Sequence, residues 1–159
     1  MIDLGFWGKL KKPIFVLAPM ADVTDCVFRE IIAKYGKPDV FWTEFVSADG
    51  LASKGREVLQ RDLEYTEGER PIVAQLFSSD EGHMEYAASL CLELGFDGVD
   101  INMGCPDRSI EKQGCGSAMI KNPESAAKIV RAAKRGARSE EKNGIPVSVK
   151  TRLGYSRDQ

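Results

Sequence analysis

Five short apolar runs, each followed by a stretch of helical pattern, constrain the fold of this chain more than any other feature. The runs cover residues 14–20, 39–45, 71–77, 98–104 and 146–152. Each is nearly continuous rather than alternating, as strands of a parallel sheet are when both faces are covered. The spacing predicts helices over 24–35, 81–94 and 123–136. Their boundary signals are Thr24 or Asp25 before the first and Gly36 after it, Gly95 after the second, and Asn122 with Pro123 opening the third. Residues 48–64 read as a weaker helix interrupted by Gly55. Strand and helix alternating in this way build right-handed βαβ units. The strand starts recur every 33 residues on average, a rhythm shared by doubly wound open sheets and (β/α)8 barrels.

Two observations choose between them. The turn after the first run, Ala18-Pro19-Met20-Ala21-Asp22, is no glycine-rich dinucleotide loop. Polar residues also gather at the ends of the runs: Glu44, Gln75, Asn102 with Cys105 just beyond, and Lys150 with Arg152. In a barrel all strands converge at their C-terminal ends on one mouth. The sequence therefore predicts an α/β fold of the (β/α)8 TIM-barrel type, with about five of its strands in this chain. Each polar residue also has a structural reading. Glu44 could cap a helix or pair with a lysine, and Gln75 could bond backbone across the barrel. Lys150, on the same strand face as Arg152, could belong to an ion pair; a buried lysine otherwise calls for an anionic ligand.

The four cysteines show no CxxC pair and the single histidine is His83, which argues against a zinc site or a disulfide framework; no metal is expected. Cys26 and Cys91 fall in helical patterns and read as small buried apolar residues. Cys115 lies between Gly114 and Gly116, which suggests close backbone approach to a ligand or a tight turn. Cys105 differs, being fixed between Gly104 and Pro106 directly after a strand. With no histidine near it in sequence, it suits proton donation better than thiolate attack. No apolar run approaches the roughly 18–20 residues of a membrane helix, and the first residues, Met1 to Gly5, lack the features of a signal peptide. A cytoplasmic protein with no membrane partner is expected. Charge is uneven: residues 1–106 carry 10 Lys and Arg against 18 Asp and Glu, residues 107–159 carry 12 against 6. Such a split marks either a polyanion-facing surface or a solvated helix face.

These motifs together resemble one family, the tRNA-dihydrouridine synthases. The resemblance lies in Ala18-Pro19-Met20-Ala21-Asp22-Val23-Thr24-Asp25 followed by Phe28-Arg29, in Thr43-Glu44-Phe45, and in Ala74-Gln75-Leu76-Phe77. It continues through Asp100-Ile101-Asn102-Met103-Gly104-Cys105-Pro106, residues 114–120 with Lys121-Asn122-Pro123, and Val149-Lys150-Thr151-Arg152-Leu153-Gly154. It implies an FMN-containing TIM barrel that reduces the uracil 5,6 double bond of uridine in tRNA with NADPH as reductant. Pro19, Met20 and Ala21 would lie against the flavin ring, Gln75 and Lys150 would bind its edge, and Asn102 and Arg152 would hold the uracil. Cys105 would donate the proton to carbon 5, and the basic stretch 107–159 would face the tRNA backbone.

Eight units at this spacing would need roughly 260 residues. The expectation is therefore that residues 1–159 are the N-terminal portion of the catalytic barrel. The barrel's C-terminal half and the family's helical RNA-binding domain are then expected to be absent, and the open barrel edge is expected to favour self-association. Two other readings compete. One is another flavin barrel resembling dihydroorotate dehydrogenase, against which the Asn-x-Gly-Cys-Pro motif argues. The other is a non-catalytic fragment that folds only with a partner or as a dimer.

Overall fold

The computed structural model describes residues 4–138 and 144–156. Met1 to Asp3, and Lys142 and Arg157 of the basic stretch, lie outside the described residues. Five parallel strands form one curled sheet: β1 (Val16–Leu17), β2 (Val40–Ser47), β3 (Ile72–Phe77), β4 (Gly98–Met103) and β5 (Val147–Thr151). The spatial order is β1-β2-β3-β4-β5, the same as the order in sequence. A doubly wound sheet reverses direction at its switch point; this one never does, which is the barrel arrangement.

The helices are α1 (Cys26–Gly36), α2 (Ala48–Leu51), α3 (Arg56–Leu59), α4 (Glu81–Glu93), α5 (Arg108–Glu111) and α6 (Pro123–Gly136). Each of the three long ones opens on a capping side chain, two of them at positions the sequence signals and one, Asp80, that it did not single out. Asp25, Asp80 and Asn122 accept from the backbone N–H of Phe28, His83 and Ser125 respectively, each satisfying a donor that the first turn leaves unpaired. The weak helix expected over 48–64 breaks at Gly55 into α2, α3 and a 3-10 turn at Gln60–Leu63.

Side chains alternate between the two faces of the sheet. Outward go Ile72, Ala74 and Leu76 of β3 and Val99, Ile101 and Met103 of β4. They pack with Met84, Ala87, Ala88 and Cys91 of α4 and Ile129, Ala132 and Ala133 of α6. The two helices touch closely at Gly136, where a Cβ would stand 1.9 Å from the Glu85 carbonyl oxygen. Inward, at the N-terminal end, Val40, Trp42 and Val73 meet Phe6, Trp7, Leu10 and Ile14. These come from a 3-10 turn at Gly5–Lys9 and the segment after it, which seal that end of the sheet. Gly98 belongs to this layer, and its missing side chain leaves room for the Phe6 ring.

Coverage on both faces holds for β3 and β4, whose residues are all buried. It fails at the flanks. The first strand shrinks to two residues with Phe15 and Val16 exposed, and β5 is open along Val149, Lys150 and Thr151. A parallel strand is covered on both faces only when other parts of the chain pack against each face, as happens for β3 and β4 but not at the flanks.

Candidate active site at the C-terminal strand ends

In register, Gln75, Asp100 and Ser148 lie side by side on β3, β4 and β5, with Asn102 and Lys150 paired one layer nearer the mouth. Gln75 and Asp100 are buried, and Gln75 Nε2 donates to Asp100 Oδ2 at 2.6 Å while Ser148 Oγ donates to Asp100 Oδ1 at 2.6 Å. Burial pushes the Asp100 carboxyl up. These two donors, the nearby Trp42 indole and the charge of Lys150 oppose that shift. The Trp42 N–H is close enough to act on this carboxylate but lies outside hydrogen-bond geometry, and it is buried without a partner. The Gln75 side chain thus bonds an acid rather than backbone. Lys150 is exposed rather than buried, because no element covers the concave face of β5 among the described residues.

Cys105 lies just past β4 and is half-buried. Its backbone is held from three directions. The Asn102 side-chain carbonyl accepts from Gly104 N at 3.2 Å and Cys105 N at 3.0 Å. Arg152 Nε donates to the Gly104 carbonyl at 2.6 Å, and Ser117 N donates to the Cys105 carbonyl at 2.8 Å. Gly116 has φ +60°, and a Cβ there would stand 2.5 Å from the Cys105 oxygen. The close approach foreseen around Cys115 is therefore to Cys105's own backbone. Behind it, Ser117 Oγ donates to Glu111 Oε1 at 2.6 Å, a bond that lowers the Glu111 carboxyl below its ordinary range. With Asn102's oxygen engaged by the loop, its amide is the end left for a ligand.

The remaining cysteines are set apart by their surroundings. Cys91 is fully buried, its thiol pushed up to about 12, and Cys115 is buried and pushed up to about 11. Cys26 departs from expectation: it opens α1, is only half-buried, and its thiol is directed at Glu69. That carboxylate forms a fully buried pair with Arg29, whose other nitrogens donate to the carbonyls of Thr24 and Glu64. Glu69 is a structural residue that sequence reading missed, since it stands in a polar run that reads as loop. The pair ties the loop after β1 to the segment before β3.

On that first loop, Pro19 is half-buried and Met20 and Ala21 are exposed at the rim. Thr24 closes the turn through hydrogen bonds with the backbone N–H and carbonyl of Met20. Glu44 does not join Asn102 and Lys150. Its carboxylate accepts from Val23 N at 2.9 Å and holds the same loop, and burial raises its carboxyl above the ordinary range. Gln75, Asn102, Cys105, Lys150 and Arg152 are thus brought to neighbouring strands at one end of the sheet, and Pro19 to Ala21 lie at the end of the edge strand. Asp100 and Ser148, beneath them, were not singled out from sequence. The signal was present in the alternation Val99-Asp100-Ile101-Asn102, which places an acid on an inward-facing position.

Among the described residues no helix is long and apolar enough to cross a membrane, and no group of three or more His, Cys, Asp or Glu could hold a metal ion. Over residues 16–159 the chain matches the family described as dihydrouridine synthase (Dus). It is 45% identical over 153 residues to a protein of Bacillus subtilis (strain 168) named "Probable tRNA-dihydrouridine synthase 2". The match covers 96% of this chain and 45% of that protein. A protein of Staphylococcus aureus (strain COL) named "Probable tRNA-dihydrouridine synthase" is 41% identical over 152 residues, or 95% of this chain and 44% of its own length. The chain spans less than half the length of these curated relatives.

Proposed function

Because this chain belongs to the dihydrouridine synthase family, we propose that it forms part of the barrel-type catalytic domain of a tRNA-dihydrouridine synthase, using FMN and NADPH to reduce uridine in tRNA. The observation that carries this reading is the immobilised backbone of Cys105 at the end of β4, next to the inward-facing layer of Asn102 and Lys150.

The donor set suits the ring of a flavin. Lys150 supplies a cation, Gln75 an amide, Pro19, Met20 and Ala21 a rim surface, and Trp42 a buried unpaired N–H below. Bound FMN would supply hydride chemistry. The chain's own residues do the rest. Lys150 compensates negative charge at the ring edge. The Asn102 amide and the Arg152 guanidinium orient the uracil. The Cys105 thiol hands a proton to carbon 5. The target base must leave its stack to reach the end of the sheet, and Lys128, Arg131 and Lys134 on α6 would contact phosphates. The protein acts in the cytoplasm, and copies of it associate through the open barrel edge.

Loading the purified chain with FMN and assaying dihydrouridine formation tests the reading. Cys105→Ala should lower turnover at least a hundredfold, the usual reach of general acid catalysis, while retaining flavin. Equal loss of flavin in that variant would make Cys105 structural, and retained turnover would remove it as the proton donor.

A further inference from the structure

The polar layer beneath the mouth contains one buried acid that the chemistry above does not use. Asp100 is 2% exposed, faces inward on β4, and accepts a hydrogen bond on each oxygen, from Gln75 Nε2 and from Ser148 Oγ. The Trp42 N–H and the charge of Lys150 also act on it. In both of these bonds the carboxylate is the acceptor. Its partner on Gln75 is the amide NH2, so the Gln75 carbonyl is the end directed away from Asp100. No described residue donates to that carbonyl. A glutamine free to rotate can offer a ligand either a donor or an acceptor. This one offers an acceptor.

We propose that Asp100 is a positioning residue of the ring site: it locks the Gln75 amide so that the site meets an imide N–H with an acceptor. Lys150 and the Asn102 amide are the donors available for the carbonyls that flank such an N–H. The ligand class is a planar ring with an imide edge, a feature shared by isoalloxazine and uracil. The inference deepens the ring-site reading above and rests on it.

The test compares binding of FMN and its N3-methyl derivative to the full chain by flavin fluorescence, and of UMP and its N3-methyl derivative by calorimetry. Methylation deletes the N–H and leaves the Gln75 oxygen facing a methyl group. Wild type should bind the methylated ligand at least ~10-fold more weakly. Asp100→Asn keeps the shape, but its amide can meet either end of Gln75, so the penalty should fall to within about threefold. A penalty in the FMN arm assigns the imide to the cofactor and one in the UMP arm to the substrate ring; either supports the proposal. Equal penalties in wild type and Asp100→Asn overturn it, as does the absence of a penalty in wild type. In that last case the ring-site reading survives, provided the unmodified ligands bind. If neither FMN nor UMP binds, the ring-site reading falls and the proposal with it. Gln75→Leu guards against misfolding of Asp100→Asn. It removes the acceptor outright, and a penalty that persists there overturns the proposal by itself. Ser148→Ala, which leaves the Gln75 bond in place, should keep the wild-type penalty; losing it there would make the effect merely structural.

Discussion

Cys105 was the most legible residue of the chain and the one whose support was least so. Its position after a strand and between Gly104 and Pro106 is written in adjacent letters. The groups that hold it are not: Ser117 and Gly116 come from the next turn, and Arg152 from the far end of β5. Backbone hydrogen bonds to a loop have no sequence signature, so Arg152 reads as a ligand contact when its guanidinium is also a brace. A test follows at Gly116. Alanine there would need a left-handed backbone and would drive its Cβ into the Cys105 carbonyl. Gly116→Ala should cost roughly 1–3 kcal/mol in urea unfolding. It should also change the alkylation rate of Cys105 relative to that of Cys26, read by mass spectrometry.

Among the elements, the long helices were readable because their boundary signals are local: Asn122 speaks for the three residues after it, and Gly95 stands just past the end of α4. Strand ends were less so. The run 14–20 has strand composition along its length, yet only Val16–Leu17 pairs with β2. Tertiary pairs across elements were invisible, and one yields a pH effect. His83, on the first turn of α4, places Nδ1 2.6 Å from Asp49 Oδ1 of α2 and 3.8 Å from Asp80 Oδ1; Ser78 also donates to Asp49. The hydrogen bond to Asp49 raises the imidazole above its ordinary value. A raised cation lends stability that is complete below the unfolded-state value, near pH 6.5, and is lost as pH rises through the folded one. Melting temperature should therefore fall more between pH 6 and 8 in wild type than in His83→Asn. Parallel profiles for the two would exclude this coupling.

For the whole molecule, the rhythm of apolar runs gave parallel βαβ units, and the polar residues at the run ends, not the rhythm, pointed to a barrel. Rhythm could not say which faces lie open, because that depends on what stands beside each strand. On α1, Val27, Ile31 and Tyr35 recur at four-residue spacing and are 64%, 53% and 79% exposed, next to exposed Phe15 and Val16 at the β1 edge. An apolar stripe beside an unpaired strand edge favours association. Light scattering over a hundredfold dilution should show a falling mass that Ile31→Lys brings to the monomer value at every concentration. A constant monomer mass in wild type would rule out association through this face.

The seal at the N-terminal end of the sheet has an optical consequence. Both tryptophans of the chain belong to it: Trp7 and Trp42 have ring centroids 5.6 Å apart, and the Trp42 indole lies beside the Asp100 carboxylate. Indole emission from this protein therefore originates at the base of the sheet, opposite the end that carries Cys105. An unfolding curve followed by that emission reports the detachment of residues 5–14, whereas far-ultraviolet dichroism reports α4 and α6. Should the plug lift before the helices melt, the two curves separate, and the gap between their midpoints measures how firmly the bottom of the sheet is stoppered.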